Sequence, residues 1–264
     1  MKMPLIGLGT WQSSLEEIDA ALNAAIEAGY RHFDTAYSYQ NETAIGISLE
    51  KMFNSEKIKR EDLFIVTKLP MIGNRAEDVE AFLKKSLENL KLDYVDLYLI
   101  HIPVGMVNKG FYEIFPKDEQ GRILIDYSTN IIEVWKAMEA QVDAGRSKSI
   151  DIKPNIKYFY FFRVRILRPM EDPVINEIAK KYKKQPSHIL LRYLMEYGVA
   201  VIPKSTNPSR IKLNIDVFDF ELTKEDFERI SALDRGEEGR MFGGRGNKGF
   251  VNLMESHPEY PFSK

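Results

Sequence analysis

LFIVTKLPMIGNRAEDVEAFLKKSLENLKLDYVDLYLIH, running from Leu63 to His101, is the stretch that decides the fold. It opens on an apolar run, Leu63–Lys68, and closes on another, Val95–His101. Between them Val79, Phe82, Leu83, Leu87 and Leu90 recur on one helical face. Asn74 with Glu77 predicts the helix start. Continuous apolar runs suit strands buried on both faces, and a helix joining two of them predicts a parallel pair.

The same unit repeats outward. Upstream, Pro4–Gly9 predicts a strand. Ser14 and Glu17 form a capping box before a helix carrying Leu15, Ile18, Leu22, Ala25 and Ile26, which Gly29 ends. Arg31–Ala36 predicts a second strand, and Glu42–Met52 a helix with Ile45, Leu49 and Met52 on one face. Downstream comes Ile102–Thr129, long and polar, a loop length usually tied to function. A helix over Ile131–Ala144, containing Trp135 and closed by Gly145, leads to a fifth strand, Ser147–Ile152. Strands alternating with helices predict a parallel sheet or a (β/α) barrel.

The rhythm then changes. Lys153–Arg168 (KPNIKYFYFFRVRILR) is aromatic and β-prone, with no helix of its own after it. Asp172 and Pro173 open a helix to about Tyr182, and Pro186 another to about Tyr197. Val199–Pro203 predicts a strand, and Thr223 caps a last helix with Phe227, Ile230 and Leu233. Residues 236–264 predict an extended loop, and the whole chain, 1–264, a single domain.

Composition removes several function classes. Lys+Arg is 37 and Asp+Glu 39, so no basic excess offers a nucleic-acid footprint. Without cysteine there is no disulfide framework, thiolate zinc site or Cys nucleophile. His32, His188 and His257 share no ligand spacing, so no metal is expected. No Ser sits in a nucleophile-elbow string. No apolar run approaches the roughly 18 residues of a membrane helix, and MKMPLIGLGTW lacks a signal-peptide core. A cytosolic monomer with no nucleic-acid or membrane partner is expected.

Barrel sites gather at the C-terminal ends of strands. Those ends here carry Gly9-Thr10-Trp11, Asp34 with Tyr39 just beyond, Lys68, His101 and Pro203-Lys204-Ser205. A phenol has a pKa of about 10 and is a poor acid. An adjacent ammonium would lower it, and a carboxylate would hold the ammonium. An imidazole can orient a carbonyl oxygen. The set suits proton donation during carbonyl reduction, with hydride from a nicotinamide. Lys68 ends an apolar strand, where an ammonium is costly unless paired.

At these residues the sequence resembles the aldo-keto reductase superfamily. GYRHFDTAYSYQNE (Gly29–Glu42), FIVTKL (Phe64–Leu69), DLYLIHIP (Asp96–Pro103) and VIPKSTNPSRIKLN (Val201–Asn214) are similar to its signature segments, as are MPLIGLGTW (Met3–Trp11) and EYPF (Glu259–Phe262). The resemblance implies a (β/α)8 barrel of TIM type and NADPH-dependent reduction of aldehydes or ketones. It implies Tyr39 as general acid, Lys68 lowering its pKa, Asp34 pairing Lys68, and His101 orienting the carbonyl. Trp11, Tyr39, His101, the loop after His101 and the C-terminal tail would line the substrate pocket. Lys204, Ser205 and Arg210 would grip the 2′-phosphate of NADPH, Asn214 would face the adenine, and Thr10 and Asp34 would also meet the cofactor.

The sequence departs from the family pattern at two places, after the fifth strand and at the adenine site. Lys153-Pro154 stand where a Ser-Asn pair holds the nicotinamide carboxamide, and Leu213 where an acidic residue is usual. Asn155–Pro169 replaces the units of strands six and seven, with their carboxamide Gln and ring-stacking Tyr. The barrel is therefore expected to be incomplete, with about six family strands. Lys157–Leu167 either forms one replacement strand or marks a splice or gene-boundary product. The competing functional expectation is a barrel that binds NADP(H) or a partner without efficient turnover.

Overall fold

A computed structural model describes residues 2–152, 169–234, 254 and 257–260. Its centre is a parallel sheet of five strands in chain order. They are β1 (Leu8–Gly9), β2 (His32–Asp34), β3 (Phe64–Leu69), β4 (Leu97–Ile100) and β5 (Ile150–Ile152). Helices α1 (Leu15–Ala28), α2 (Glu42–Asn54), α3 (Ala76–Leu90) and α4 (Ile131–Asp143) return the chain between successive strands. This is the strand–helix order of the (β/α)8-barrel type, with five of its strands among the described residues and each strand's neighbour supplied by the next unit.

Strand alternation sorts the core into two layers. Ile65, Leu69, Tyr98 and Ile100 join the helix-facing core with Val79, Phe82 and Leu83 of α3. Phe64, Val66, Leu97 and Leu99 form a separate inner cluster with Met3. Both layers are apolar because both faces of a parallel sheet are covered.

The helix signals are built as the sequence reads. Ser14 Oγ accepts from Glu17 N at 3.3 Å, and Glu17 Oε2 accepts from Ser14 N at 3.0 Å. Gly29 turns out of α1 at φ 98°, a conformation that a side chain disfavours. The start of α3 differs from expectation. Arg75 is its N-cap, without a side-chain bond, and Asn74 donates instead to the carbonyls of Ile102 and Val104 at 2.7 and 3.1 Å.

The first two strands are shorter than the apolar runs that predict them, because Pro4 and the turns that follow leave the ladder early. The expected strand Val199–Pro203 reduces to two parallel bridges, Ile6–Val201 and Gly9–Lys204. Hydrogen bonds still run across this seam, from Val201 N to Leu5 O at 2.8 Å and from Gly7 N to Val201 O at 2.9 Å. The sheet therefore continues past β1 into residues 201–204.

Four helices complete the described residues: α5 (Pro173–Tyr182), α6 (Pro186–Glu196), α7 (Pro208–Asn214) and α8 (Lys224–Ser231). Helix α7 lies within VIPKSTNPSRIKLN, whose periodicity is too short to predict it. The replacement tract at 153–168 and most of the expected tail loop lie outside the described residues.

A buried ion cluster closes the far end of the sheet. Asp96 Oδ2 accepts from Arg60 Nη2 at 2.8 Å and from Ile65 N at 2.9 Å, and Lys148 reaches its other oxygen at 3.4 Å. Arg60 and Lys148 also cover the Tyr94 ring, at 4.0 and 4.1 Å from its centroid.

Gly46 sets how closely α2 and α3 approach. A methyl there would collide with Asn89 O and lie 2.7 Å from the Leu90 carbonyl carbon. Backbone cannot rotate aside as a side chain can. Gly46→Ala is expected to cost about 1–3 kcal/mol despite the better helix propensity of Ala. Urea unfolding of the two proteins measures this.

Candidate active site

The residues singled out at the strand ends meet at one corner. Lys68 is 1% exposed, at the end of β3, and its ammonium has three partners. It donates to Asp34 Oδ1 at 2.6 Å, to Thr35 O at 2.7 Å and to Tyr39 Oη at 3.3 Å. Those three bonds use its three hydrogens. Tyr39 stands against His101 edge to face, with ring centroids 5.6 Å apart.

Local structure explains why Tyr39 reaches this corner from β2. The chain leaves Asp34 through a short 3-10 turn, Tyr37–Tyr39, which Gln40 ends at φ 57°. Asn41 then ties the turn down, donating to Thr10 O at 2.9 Å and Ser13 O at 3.3 Å. Tyr37 donates its hydroxyl to Phe111 O at 2.8 Å, anchoring the loop after β4. Asn74 holds the start of that loop just beyond His101.

Electrostatics corrects one expectation. Burial pushes the Tyr39 phenol up, and Lys68 pulls it down by charge and hydrogen bond without overcoming burial. Its pKa stands above the ordinary value rather than below it. Burial also works against the Lys68 ammonium, but Asp34 and Tyr39 outweigh this and hold its pKa up. At neutral pH the phenol is protonated and the ammonium charged.

These groups line a cavity of about 1190 Å³. Asp34, Tyr39, Lys68, His101 and Trp11 line it, as do Lys204, Ser205, Arg210 and Asn214. The bridge from Gly9 to Lys204 sets Lys204 beside the end of β1. Lys204 and Arg210 form no salt bridge among the described residues. Glu17 lies near enough to feel Lys204, but its oxygens are engaged by Ser14 N and Thr206 Oγ1. Two free cations beside a cavity suit an anionic group. Ser205 Oγ accepts from Asn207 N at 3.1 Å, so it shapes this loop as well as lining it.

Thr10 is the one predicted contact that the structure turns elsewhere. It is buried, does not line the cavity, and gives its hydroxyl to Asp34 O at 3.0 Å. Its hydroxyl braces β2. Lys153 and Pro154 lie outside the described residues.

Sequence reasoning missed a further group of positioning residues. Arg75 Nε donates to Asp126 Oδ2 at 2.6 Å, and Asp126 O meets His257 Nε2 at 2.9 Å. His257 Nδ1 accepts from Glu259 N, and its ring stacks on Tyr127. Chain end and loop are thereby fastened together. The lone His257 carried no ligand spacing, and its anchoring role depends on a contact 131 residues away.

A model of the aldo/keto reductase family matches residues 5–154 and 170–235. The chain belongs to the aldo/keto reductase family. It is 36% identical to aldo-keto reductase family 1 member C1 of Pongo abelii, over 99% of this chain and 94% of that protein. It is equally similar, at 36%, to prostaglandin F synthase 1 of Bos taurus, over 99% of this chain and 95% of the other. The solved aldose reductase of Schistosoma japonicum superposes with a TM-score of 0.86 at 35% identity, over 100% of this chain and 96% of that one. The Pongo abelii alignment runs over 317 positions against a chain of 264 residues, so the relative carries residues inside the aligned span that this chain lacks. The family match breaks at 155–169. Membership makes this aldo-keto reductase an oxidoreductase by family.

The Asp34–Lys68 pair gives the site its own stability test. Asp34→Asn leaves a buried ammonium without its carboxylate and is expected to cost about 3–5 kcal/mol. Adding Lys68→Met should recover part of that loss. A double-mutant cycle by urea unfolding reads the coupling.

Proposed function

We propose that this protein reduces aldehyde or ketone carbonyls to alcohols with NADPH, using Tyr39 as the proton donor. The observation that carries the reading is the fully engaged Lys68 ammonium set against the Tyr39 oxygen, with His101 alongside. Lys68 donates to that oxygen, so the phenolic hydrogen is left to point at a substrate. Tyr39 and His101 would hold the carbonyl oxygen between them. As Tyr39 gives up its proton, negative charge grows 3.3 Å from the ammonium. The fixed cation stabilises that charge without rearranging. Asp34 and Thr35 keep the cation in place throughout. The high pKa of Tyr39 is consistent with this, since the donor stays loaded at neutral pH.

When bound, the nicotinamide cofactor supplies the hydride. Lys204 and Arg210, without a salt bridge among the described residues, fit its 2′-phosphate together with Ser205, and Asn214 would face the adenine. Trp11 lines the same cavity as Tyr39, and we assign it to the substrate's path. Among the described residues no helix is long and apolar enough to cross a membrane. Our reading is of a cytosolic monomer acting on small molecules.

Tyr39→Phe is expected to lower kcat about a hundred-fold or more, read as NADPH oxidation with a panel of aldehydes. Equal rates in the two proteins would defeat the assignment of Tyr39. Lys204→Ala and Arg210→Ala are each expected to weaken NADPH about ten-fold or more and leave NADH nearly unchanged. Quenching of tryptophan fluorescence measures both affinities. Tight NADPH binding without turnover of any aldehyde would reassign the protein as a cofactor-binding barrel.

A further inference from the structure

The cavity wall holds two carboxylates that the reaction above does not use, Asp151 and Asp234, and Asp151 is the one carried by the sheet itself. Register places it. Lys68 of β3 pairs with Leu99 of β4, and Leu99 pairs with Asp151 of β5. In-register neighbours of a parallel sheet share a face, and all three residues line the cavity. Asp151 thus looks into the same chamber as Lys68, about 10 Å away across one intervening strand.

Among the described residues its charge has no salt-bridge partner. Asp151 Oδ1 accepts from Ile152 N at 2.7 Å, and no cation pairs with the side chain among the described residues. Lys68 cannot serve, because its hydrogens are spent. Lys204 stands beyond β1, at the opposite edge of the strand order. Asp151 therefore sets a local negative charge on the β5 wall of the chamber.

We propose that Asp151 determines substrate charge. It selects carbonyl compounds that bring a hydrogen-bond donor or a positive charge toward β5, and it rejects those bringing a carboxylate. This rests on the carbonyl-reductase reading. A unit charge at roughly 10 Å, in a partly screened site, changes affinity by about five- to ten-fold.

The test uses two aldehydes of nearly equal shape, 4-formylbenzamide and 4-carboxybenzaldehyde. Wild type should favour the neutral amide in kcat/KM. Asp151→Asn keeps the shape and removes the charge, and should shrink that preference about five- to ten-fold. Asp151→Ala should shrink it alike, which separates charge from packing. A ratio that stays within two-fold of wild type in both variants overturns the proposal. If neither aldehyde is turned over by any of the proteins, the reductase reading fails. Calorimetric binding of benzamide and benzoate then decides the charge preference on its own. A benzamide preference that falls in Asp151→Asn supports it, whereas equal preferences, or no binding of either, overturn it.

Discussion

An ammonium buried beside the barrel interior is the constraint on which the site depends. Lys68 is charged in a place that water does not reach, and an isolated ion there would cost several kcal/mol. Asp34, Thr35 and Tyr39 answer that cost by direct hydrogen bonds. Two of these partners flank the end of β2, and the third follows one short turn later. The position of β2 beside β3 is thus fixed by charge as well as by the ladder. A shift of one residue would turn Asp34 to the other face and strand the ammonium.

The sheet divides its labour by face. The outer face packs Ile65, Leu69, Tyr98 and Ile100 under helices. The inner face carries Phe64, Val66, Leu97 and Leu99, with His32 set edge-on to Phe64 at the floor and Asp34 and Lys68 toward the C-terminal ends. A polar residue on the outer face shows how strict the division is. Glu42 is buried there, its carboxyl pushed above the ordinary range by burial, and Thr67 donates to it at 2.6 Å. Thr67 and Lys68 are neighbours in sequence, yet each serves a different side of the sheet.

Much of this arrangement was legible in the sequence because its determinants are local. Apolar runs marked β3 and β4, a capping box marked α1, and strand ends marked Asp34, Lys68 and His101. What escaped depends on distant contacts. Asn74 looked like a helix cap, but two carbonyls beyond β4 compete for its amide and win. Thr10 sits at a strand end as expected, yet its hydroxyl is claimed by Asp34 O. The Tyr39 phenol illustrates a balance that residue types alone do not set. The ammonium beside it was foreseeable, whereas the depth of burial that outweighs it was not. Asp151 carried no motif, and only the strand register shows that it shares a face with Lys68.

The seam between residues 5–9 and 201–204 also bears on how the molecule assembles. Strands β2, β3 and β4 pair with partners one unit away, so their contacts close short loops. The seam joins segments nearly two hundred residues apart. Closing it carries a larger entropic cost and needs most of the chain to be present. The partners of the Lys68 ammonium all lie within the first hundred residues, whereas Lys204 takes its place only across the seam.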